Sequence, residues 1–248
     1  MIIIKSPDEI EIMREAAVPT KEMLADLADI VKPGISTKDI DDYVEEYILK
    51  SGQKPAFKGY GGFPSAACVS VNEEIVHGFP SKKRILQEGD IVSVDLGTIH
   101  KGYYSDAART YPVGKISELH AQLIKTCEES FFAGIAHARV GFRLGDISHA
   151  IQECVEKAGF SVIRDYGGHG VGRELHEDPM ILNYGKGNHG PQLVPGMVLA
   201  IEPMIATGTY ECRVLKDGWT AVTKDGGYAA HYENTVVITD GDPILLTK

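Results

Sequence analysis

Two aspartates stand inside a segment that otherwise has the pattern of a β-hairpin. The stretch "IVSVDLGTIHKGYYSDAARTYPV" alternates apolar and polar residues, has Gly102 at the expected turn, and contains Asp95 and Asp106. Strand interiors seldom contain aspartate, because a buried carboxylate is costly unless it is paired or bound to a metal. The pair therefore predicts either charges on an exposed strand or a buried site that binds cations.

The chain repeats a helical segment after 107 residues. "GISTKDIDDYVEEYILKSG", from Gly34 to Gly52, aligns without a gap on "GFRLGDISHAIQECVEKAG", from Gly141 to Gly159. Each copy begins with a short turn and an acidic residue, continues as an amphipathic helix and ends at glycine. We interpret the repeat as a duplication of an α+β unit, approximately residues 34–114 and 141–241, inside one catalytic domain that spans residues 1–248.

Carboxylates occupy matching positions in the two copies. At the same spacing "EGDIVSVD" aligns on "PGMVLAIE", so Asp95 is opposite Glu202, each at the end of a matching strand. "YSDAARTYPVG" resembles "HYENTVVITDG", which places Asp106 opposite Glu233 at the longer spacing of 127 residues. The second half therefore has about 20 additional residues, approximately 205–226. This insertion contains Trp219, the only tryptophan, and we expect it to form an extended surface hairpin.

The four carboxylates predict a metal site if an approximate two-fold axis brings them together. Gathered in one interior they would repel each other and acquire raised pKa values unless cations lay between them. Shared carboxylates suit two divalent ions about 3.5–4 Å apart. His169 is a candidate fifth ligand, because the glycines of "YGGHGVG" let the backbone pass close to a crowded centre.

Simpler interpretations exist for each of these residues. Any one acid also fits a surface charge at a strand end, and a histidine in a glycine-rich loop also fits an ordinary loop residue. A phosphate-binding loop is disfavoured, because Arg173 stands where the G-x-G-x-x-G pattern requires glycine. The metal interpretation depends on the paired symmetry.

Further histidines lie close in sequence to these segments. His77, in "NEEIVHGFP", and His176, in "ELHEDP", fit either polar loop residues or groups at the rim of a metal centre. At the rim they would hydrogen-bond a substrate amide and its developing oxyanion. His231, two residues before Glu233, is ambiguous.

Composition restricts the partners and the compartment. The net charge of −10 argues against a nucleic-acid binder. The four cysteines form no C-x-x-C pair, which indicates neither a structural zinc site nor a disulfide framework and favours the cytoplasm. No apolar run has the length of a membrane span or of a signal-peptide core, so we expect no membrane partner.

The ordered motifs resemble the methionine aminopeptidases along the whole chain. They are Asp95 with Asp106, "GHGVGRELHEDP", "IEPM" and "HYENTVVIT". Because no zinc-finger region or long helical insertion is present, the resemblance is to the bacterial type I enzymes. It implies the pita-bread fold, an α+β architecture of two pseudo-symmetric halves around a central dinuclear metal site. It also implies removal of the initiator methionine from nascent proteins whose second residue is small.

The resemblance assigns roles residue by residue. It implies five metal ligands, with Asp106 and Glu233 bridging two ions: Asp95, Asp106, His169, Glu202 and Glu233. His77 and His176 correspond to the two substrate-facing histidines of the family. The pocket for the methionine side chain corresponds to Tyr60, Phe63, Cys68, Leu175 and Trp219. Phe57 stands where cysteine is common and Leu175 where phenylalanine is common, which alters the expected shape of the pocket.

This ligand set implies a mechanism based on a metal-bound hydroxide. Two divalent ions, which could be Co, Mn, Fe or Zn, would lower the pKa of a bridging water. Glu202 would take the proton of this water and pass it toward the leaving amine, His176 would stabilise the oxyanion, and His77 would hold the scissile amide. The expected partners are the N-termini of nascent polypeptides close to the ribosome, and we expect a monomer.

Two other functions remain open from the sequence. A proline-directed dipeptidase or aminopeptidase of the same fold would usually have an additional N-terminal domain, for which 248 residues leave no room. A non-catalytic binding protein of this fold would be expected to have lost ligands, whereas all five are present. Metal content and the cleavage of Met-Ala against Ala-Pro peptides discriminate between these functions.

Overall fold

The computed structural model describes all 248 residues and contains both helices and sheets. The helices are α1 (Pro7–Ile30), α2 (Thr37–Lys50), α3 (Glu118–Ile135) and α4 (Leu144–Lys157), with a short 3-10 turn at Tyr60–Gly62. Helix α1 begins as its sequence predicts, because Ser6 and Glu9 form a capping box and Pro7 occupies the first turn. No helix combines the length and the apolar character needed to cross a bilayer.

Fifteen short strands complete the fold. They are β1 (Lys54–Pro55), β2 (Ala67–Val71), β3 (Glu74–Val76), β4 (Ile91–His100), β5 (Tyr103–Pro112), β6 (Ser161–Val162), β7 (Gly168–Gly170), β8 (Glu177–Ile181), β9 (Val198–Ile201), β10 (Met204–Ala206), β11 (Cys212–Val214), β12 (Ala221–Thr223), β13 (Ala229–His231), β14 (Asn234–Val237) and β15 (Ile244–Leu245). All pairings between them are antiparallel. The sheets run β1-β4-β2 with β5 on β4, β15-β14-β9-β7-β8, β13-β10-β6 and β11-β12-β3.

The predicted hairpin is formed by β4 and β5. Lys101 and Gly102 connect the strands with positive φ angles of 49° and 84°. Two consecutive residues with positive φ give the turn whose twist matches that of the flanking strands. Glycine tolerates this conformation at Gly102 without strain.

Corresponding elements of the two halves have corresponding bounds. The residue numbers of α2 and α4 differ by 107 at both ends, and β4 and β9 begin with the same difference. The isolated bridges Ser36–Ile85 and Arg143–Gln192 are also separated by 107 residues. In both helices an aspartate in the first turn accepts the backbone N–H of the preceding cap residue at 2.7 Å.

Apolar packing follows the same division. One buried cluster joins α1 and α2 to the face of β2, β4 and β5, with Leu27, Ile40 and Val94 fully buried. A second buried cluster joins α3 and α4 to strands of the second half, with Phe131, Ile147 and Leu199 among its members. Each helix pair therefore covers one side of a layer of sheets, and the strands near the middle carry the polar residues.

The halves differ at the ends of their matching strands, where one expectation is wrong. Glu202 directly follows β9, but Asp95 lies in the middle of β4, which continues to His100. Pro203 follows Glu202 and has no N–H to donate to a ladder, so the chain leaves the sheet there and enters β10. The corresponding segment after Asp95 stays paired with β5 as far as the turn.

The insertion forms a hairpin, although it is not a free surface hairpin as expected. Strands β11 and β12 pair with each other, and β12 also pairs with β3 of the first half. Ala221 and Val222 of β12 are buried for this reason, whereas Arg213 and Val214 of β11 are exposed. The insertion therefore connects the two halves and places Trp219 at the turn that faces the first half.

Candidate metal centre and adjoining cavity

The register of the β4–β5 hairpin places both aspartates on one face. Asp95 pairs with Ala108, and Asp106 pairs with Gly97. Side chains two residues apart on a strand share a face, and so do directly paired residues, so Asp95 and Asp106 are diagonal neighbours on the same side. The alternation of the hairpin thus directs both carboxylates toward the second half.

His169 lies in β7, between β8 and β9, where there is no room for neighbouring side chains. A Cβ atom at Gly168 would lie 2.2 Å from the carbonyl oxygen of Ala200, and one at Gly170 would lie 2.2 Å from that of Asp178. The glycines therefore allow β7 to approach both neighbouring strands, as the sequence predicts. The Nδ1 atom of His169 is 2.9 Å from the carbonyl oxygen of Gly170. A hydrogen bond from Nδ1–H leaves the lone pair of Nε2 directed at the centre.

Backbone contacts between the halves hold the remaining carboxylates. The N–H of Glu233 donates to the carbonyl oxygen of Ala108 at 3.0 Å. The N–H of Asp106 donates to Oγ1 of Thr235 at 3.1 Å, and this hydroxyl donates back to the carbonyl oxygen of Asp106 at 2.8 Å. Strand β5 and the start of β14 are therefore fixed directly against each other.

The five predicted ligands meet in one cluster. The Nε2 atom of His169 is 3.6 Å from Oδ2 of Asp106 and 3.5 Å from Oε1 of Glu202. Ligand atoms of Asp106, His169 and Glu233 all lie within 4.8 Å of one another, and the same limit holds for Asp95, His231 and Glu233. Glu233 belongs to both groups, which is the arrangement expected of a carboxylate shared by two ions.

The electrostatics of this cluster are those of a site that requires cations. Burial raises the pKa of Asp95 to about 7 and raises the pKa values of Asp106, Glu202 and Glu233 well above their ordinary range. Burial also lowers the pKa of His169 to about 3, so the imidazole is neutral and can act as a ligand. One oxygen each of Asp95, Asp106 and Glu233 is buried without a hydrogen-bond partner. These unpaired oxygens fit divalent metal ions.

A sixth side chain, His231, joins the cluster. It is buried, its Nε2 atom has no hydrogen-bond partner, and burial lowers its pKa. The sequence left this residue undecided because β13 is only three residues long. Alternation along the chain was the available signal, since His231 and Glu233 are two residues apart.

His176 and His77 lie at the rim of the centre. The ring of His176 is 4.3 Å from that of His169, and its Nδ1 atom is 2.8 Å from the hydroxyl oxygen of Tyr60. His77 has a positive φ of 57°, an unusual backbone conformation for a residue other than glycine. Burial is the main reason that the pKa of His77 is lowered to about 4, so its imidazole is neutral at physiological pH.

An apolar cavity of about 210 Å³ opens directly onto the carboxylates. All of the predicted pocket residues line it, together with Phe57: Tyr60, Phe63, Cys68, Leu175 and Trp219. Trp219 is half-buried, and its ring packs edge to face on Phe63 at 5.2 Å. The sequence did not indicate Val76, Tyr166 or Met204, which also line the cavity. Val76 and Met204 stand one and two residues from His77 and Glu202, and this proximity was the only signal for them.

Comparison with known proteins identifies the family. The model of metallopeptidase family M24 matches residues 11–240. The chain belongs to this family. Its members are metallopeptidases, in agreement with a cluster of carboxylates and histidines that fits divalent ions.

Relatives within the M24 family resemble the chain over its full length. A methionine aminopeptidase from Clostridium acetobutylicum is 56% identical and covers 100% of this chain and 99% of its own. The crystal structure of a methionine aminopeptidase from Thermotoga maritima has a TM-score of 0.98 at 51% identity, with 100% of both chains covered. The predicted pita-bread fold is therefore confirmed.

A prolidase from Pyrococcus furiosus shares the M24 fold at a greater distance. Its TM-score is 0.79 at 26% identity, and the match covers 99% of this chain but 65% of the prolidase. The shared part contains the catalytic architecture of the family, whereas about a third of the prolidase has no counterpart in this chain.

Proposed function

We propose that this chain is a methionine aminopeptidase, which removes the initiator methionine from new polypeptides whose second residue is small. One observation carries the proposal: the apolar cavity of about 210 Å³ ends at the cluster of carboxylates and histidines. An N-terminal side chain in this cavity brings its own α-amine and the following peptide bond to the polar cluster. The full-length similarity to methionine aminopeptidases supports the same substrate.

The lining of the cavity favours a flexible, unbranched apolar side chain. Phe63, Leu175 and Trp219 provide apolar walls, and Cys68 adds a sulfur atom. Burial raises the pKa of the Cys68 thiol well above its ordinary value, so this sulfur is an uncharged wall rather than a nucleophile. A thioether is polarisable and packs well against aromatic rings, which favours methionine over a polar or branched residue.

The proposed centre holds two divalent metal ions, whose identity could be Co, Mn, Fe or Zn. Asp106 and Glu233 would be shared, Asp95 would serve one ion, and His169 with Glu202 would serve the other. When bound, such ions lower the pKa of a water molecule and polarise the scissile carbonyl. The orphaned oxygens of Asp95, Asp106 and Glu233 support this assignment.

The rim histidines and Glu202 supply the remaining chemistry. The pKa of Tyr60 is raised by burial, so its hydroxyl stays protonated and can donate to Nδ1 of His176. That hydrogen bond leaves the proton of the neutral imidazole on Nε2, where it can donate to the developing oxyanion. His77, also neutral, holds the scissile amide, and Glu202 takes a proton from water and passes it to the leaving amine.

The organisation and location of the enzyme are part of the proposal. One catalytic domain, residues 1–248, would contain the repeat at approximately 34–114 and 141–241, supported by the equal spacing of α2 and α4. The four cysteines are unpaired, which supports action in the reducing cytoplasm. We propose that the enzyme works as a monomer on nascent chains close to the ribosome.

Peptide cleavage after metal removal tests this function. The metal-free protein is given Co²⁺, Mn²⁺, Fe²⁺ or Zn²⁺ one at a time with Met-Ala-Ser, its N-acetylated form, or Ala-Pro-Ser. We expect cleavage of Met-Ala-Ser alone, and only after an ion is added. Cleavage of Ala-Pro-Ser in preference to Met-Ala-Ser would instead indicate a proline-directed peptidase, and no cleavage with bound metal would indicate a binding protein.

A further inference from the structure

His231 lies inside the proposed metal centre, outside the set of five ligands that the family resemblance implies. Its side chain is 1% exposed, and no protein atom accepts from or donates to its Nε2 atom. A buried polar atom without a partner is costly, so native structures seldom retain one unless an ion or water satisfies it. The orphaned nitrogen therefore requires an explanation.

The position of Nε2 is that of a ligand atom. It lies 3.6 Å from Oε2 of Glu202 and 3.7 Å from Oε2 of Glu233. His169 has the same relationship to its carboxylates, at 3.6 and 3.5 Å. A hydrogen bond from an imidazole to a carboxylate would be shorter, about 2.7–2.9 Å. Two atoms that each lie about 2.0–2.2 Å from one ion are separated by no more than about 4.4 Å, and both pairs satisfy this limit.

The backbone fixes the imidazole at this position. The hydroxyl of Thr110 accepts the N–H of His231 and donates to its carbonyl oxygen, both at 2.9 Å. Strand β13 also pairs His231 with Met204 of β10, next to the segment that carries Glu202. The ring is therefore held from both halves of the molecule, and it belongs to the group with Asp95 and Glu233 in which all ligand atoms lie within 4.8 Å.

We propose that His231 is a sixth metal ligand, which binds the same ion as Asp95 and Glu233. The inference rests on the proposed dinuclear centre and gives it one imidazole for each ion: His169 for one and His231 for the other. Imidazole favours borderline metals such as Zn²⁺, Fe²⁺ and Co²⁺, whereas an all-carboxylate site suits Mn²⁺ and Mg²⁺. His231 would therefore raise the affinity of its ion site mainly for the borderline metals.

His231→Gln tests the assignment, because glutamine keeps a hydrogen-bond donor of similar reach and removes the imidazole. The metal-free wild type and variant are titrated with Co²⁺ and with Mn²⁺ by calorimetry, and His189→Gln at an exposed position is the matched control. We expect the variant to bind one Co²⁺ at least ~10-fold more weakly, with a smaller change for Mn²⁺. An unchanged affinity for both ions would overturn the proposal.

X-ray absorption at the cobalt edge gives a second readout that does not depend on activity. The wild type with two Co²⁺ ions should show an average of one imidazole per ion, and His231→Gln should show half of that. A crystal structure of the wild type with Co²⁺ should place Nε2 about 2.0–2.1 Å from an ion, and a separation above ~3 Å would exclude ligation. This measurement stands even if the variant does not fold.

A further control separates this inference from the proposed centre itself. If Asp106→Ala binds Co²⁺ as the wild type does, the dinuclear centre is wrong. If Asp106→Ala loses the ions and His231→Gln retains both with unchanged affinity and imidazole count, only the assignment of His231 is wrong.

Discussion

The ammonium group of Lys5 and the carboxylate of Glu177 form an ion pair 2.5 Å long, with 3% and 4% of the two side chains exposed. The pair joins the segment before α1 to the loop that carries His176. The other oxygen of Glu177 accepts the backbone N–H groups of Arg173 and Glu174 at 2.8 and 3.3 Å. Lys5 thus neutralises the carboxylate that shapes the loop around the rim histidine.

Removing the charge of Lys5 should destabilise this loop. Lys5→Met leaves Glu177 buried without its partner, so we expect the free energy of unfolding to fall by about 3–5 kcal/mol. We also expect kcat to fall more than KM rises, because His176 loses its fixed position. Urea unfolding and steady-state kinetics measure the two effects.

A double substitution separates the positioning role of Lys5 from a general loss of stability. Lys5→Met combined with Glu177→Gln removes both charges and keeps an acceptor for the N–H of Arg173, so most of the stability should return. In a His176→Ala background, Lys5→Met should no longer change kcat. If it lowers kcat as much as in the wild type, the pair does not act through His176.

Removing a shared carboxylate should abolish turnover. Asp106→Ala and Glu233→Ala should each lose at least one metal ion and nearly all activity, because each oxygen pair would serve both ions. Elemental analysis and peptide cleavage measure this, with Glu118→Ala at an exposed position of α3 as the control. A normal metal content with a normal rate in either variant contradicts the assignment of the centre.

The metal-free protein should become less stable as the pH rises. Burial raises the pKa of Asp95 to about 7, whereas an unfolded aspartate has a pKa near 3.9. Between these values the folded state binds more protons, so the free energy of unfolding is largest below about pH 4 and falls as the pH rises through 7. Asp106→Asn removes one charge that opposes the ionisation of Asp95, so its metal-free stability should fall less steeply.

Thermal unfolding of the two metal-free proteins from pH 4 to 9 measures this effect. Added divalent ions should raise the melting temperature of the wild type at pH 8 more than that of Asp106→Asn. Parallel pH profiles for the two proteins would show that the carboxylates do not interact in the folded state.

His176 should contribute to catalysis without binding metal. His176→Ala removes the proposed oxyanion donor, so kcat should fall roughly 10²-fold or more while the metal content stays constant. Tyr60→Phe removes the partner of Nδ1 and should give a smaller loss in the same direction. His77→Ala should resemble His176→Ala through the scissile amide. A loss of metal in either histidine variant would make that residue a ligand.

Trp219 should determine selectivity and not stability. It lines the cavity, is half-buried and packs on Phe63 at the turn of the inserted hairpin. Trp219→Ala should therefore reduce the preference for methionine over leucine or alanine, with little change in metal content or melting temperature. Methionine binding should also change the emission of this single tryptophan. Early unfolding with intact selectivity, or an unchanged emission, would make Trp219 a structural residue.

The residues that local pattern describes were predicted best. Helices α2 and α4, the β4–β5 hairpin and the five clustered ligands follow from periodicity, glycine placement and the repeat. Pairings between distant strands could not be predicted, because no local pattern encodes them. The pairing of β12 with β3 and the position of His231 beside Glu202 are of this kind. Both depend on how the two halves are packed.

The alignment of α2 and β4 on α4 and β9 gives the centre a particular history and a particular weakness. Equivalent carboxylates that face each other across an approximate two-fold axis have the geometry of an interface between two identical subunits, here joined in one polypeptide. Neither half owns a complete site: residues 1–115 contain Asp95 and Asp106, and residues 116–248 contain Glu202, Glu233 and both central histidines. A backbone cut between β5 and α3 would therefore yield two inactive fragments, and mixing them would restore the enzyme only as a non-covalent heterodimer.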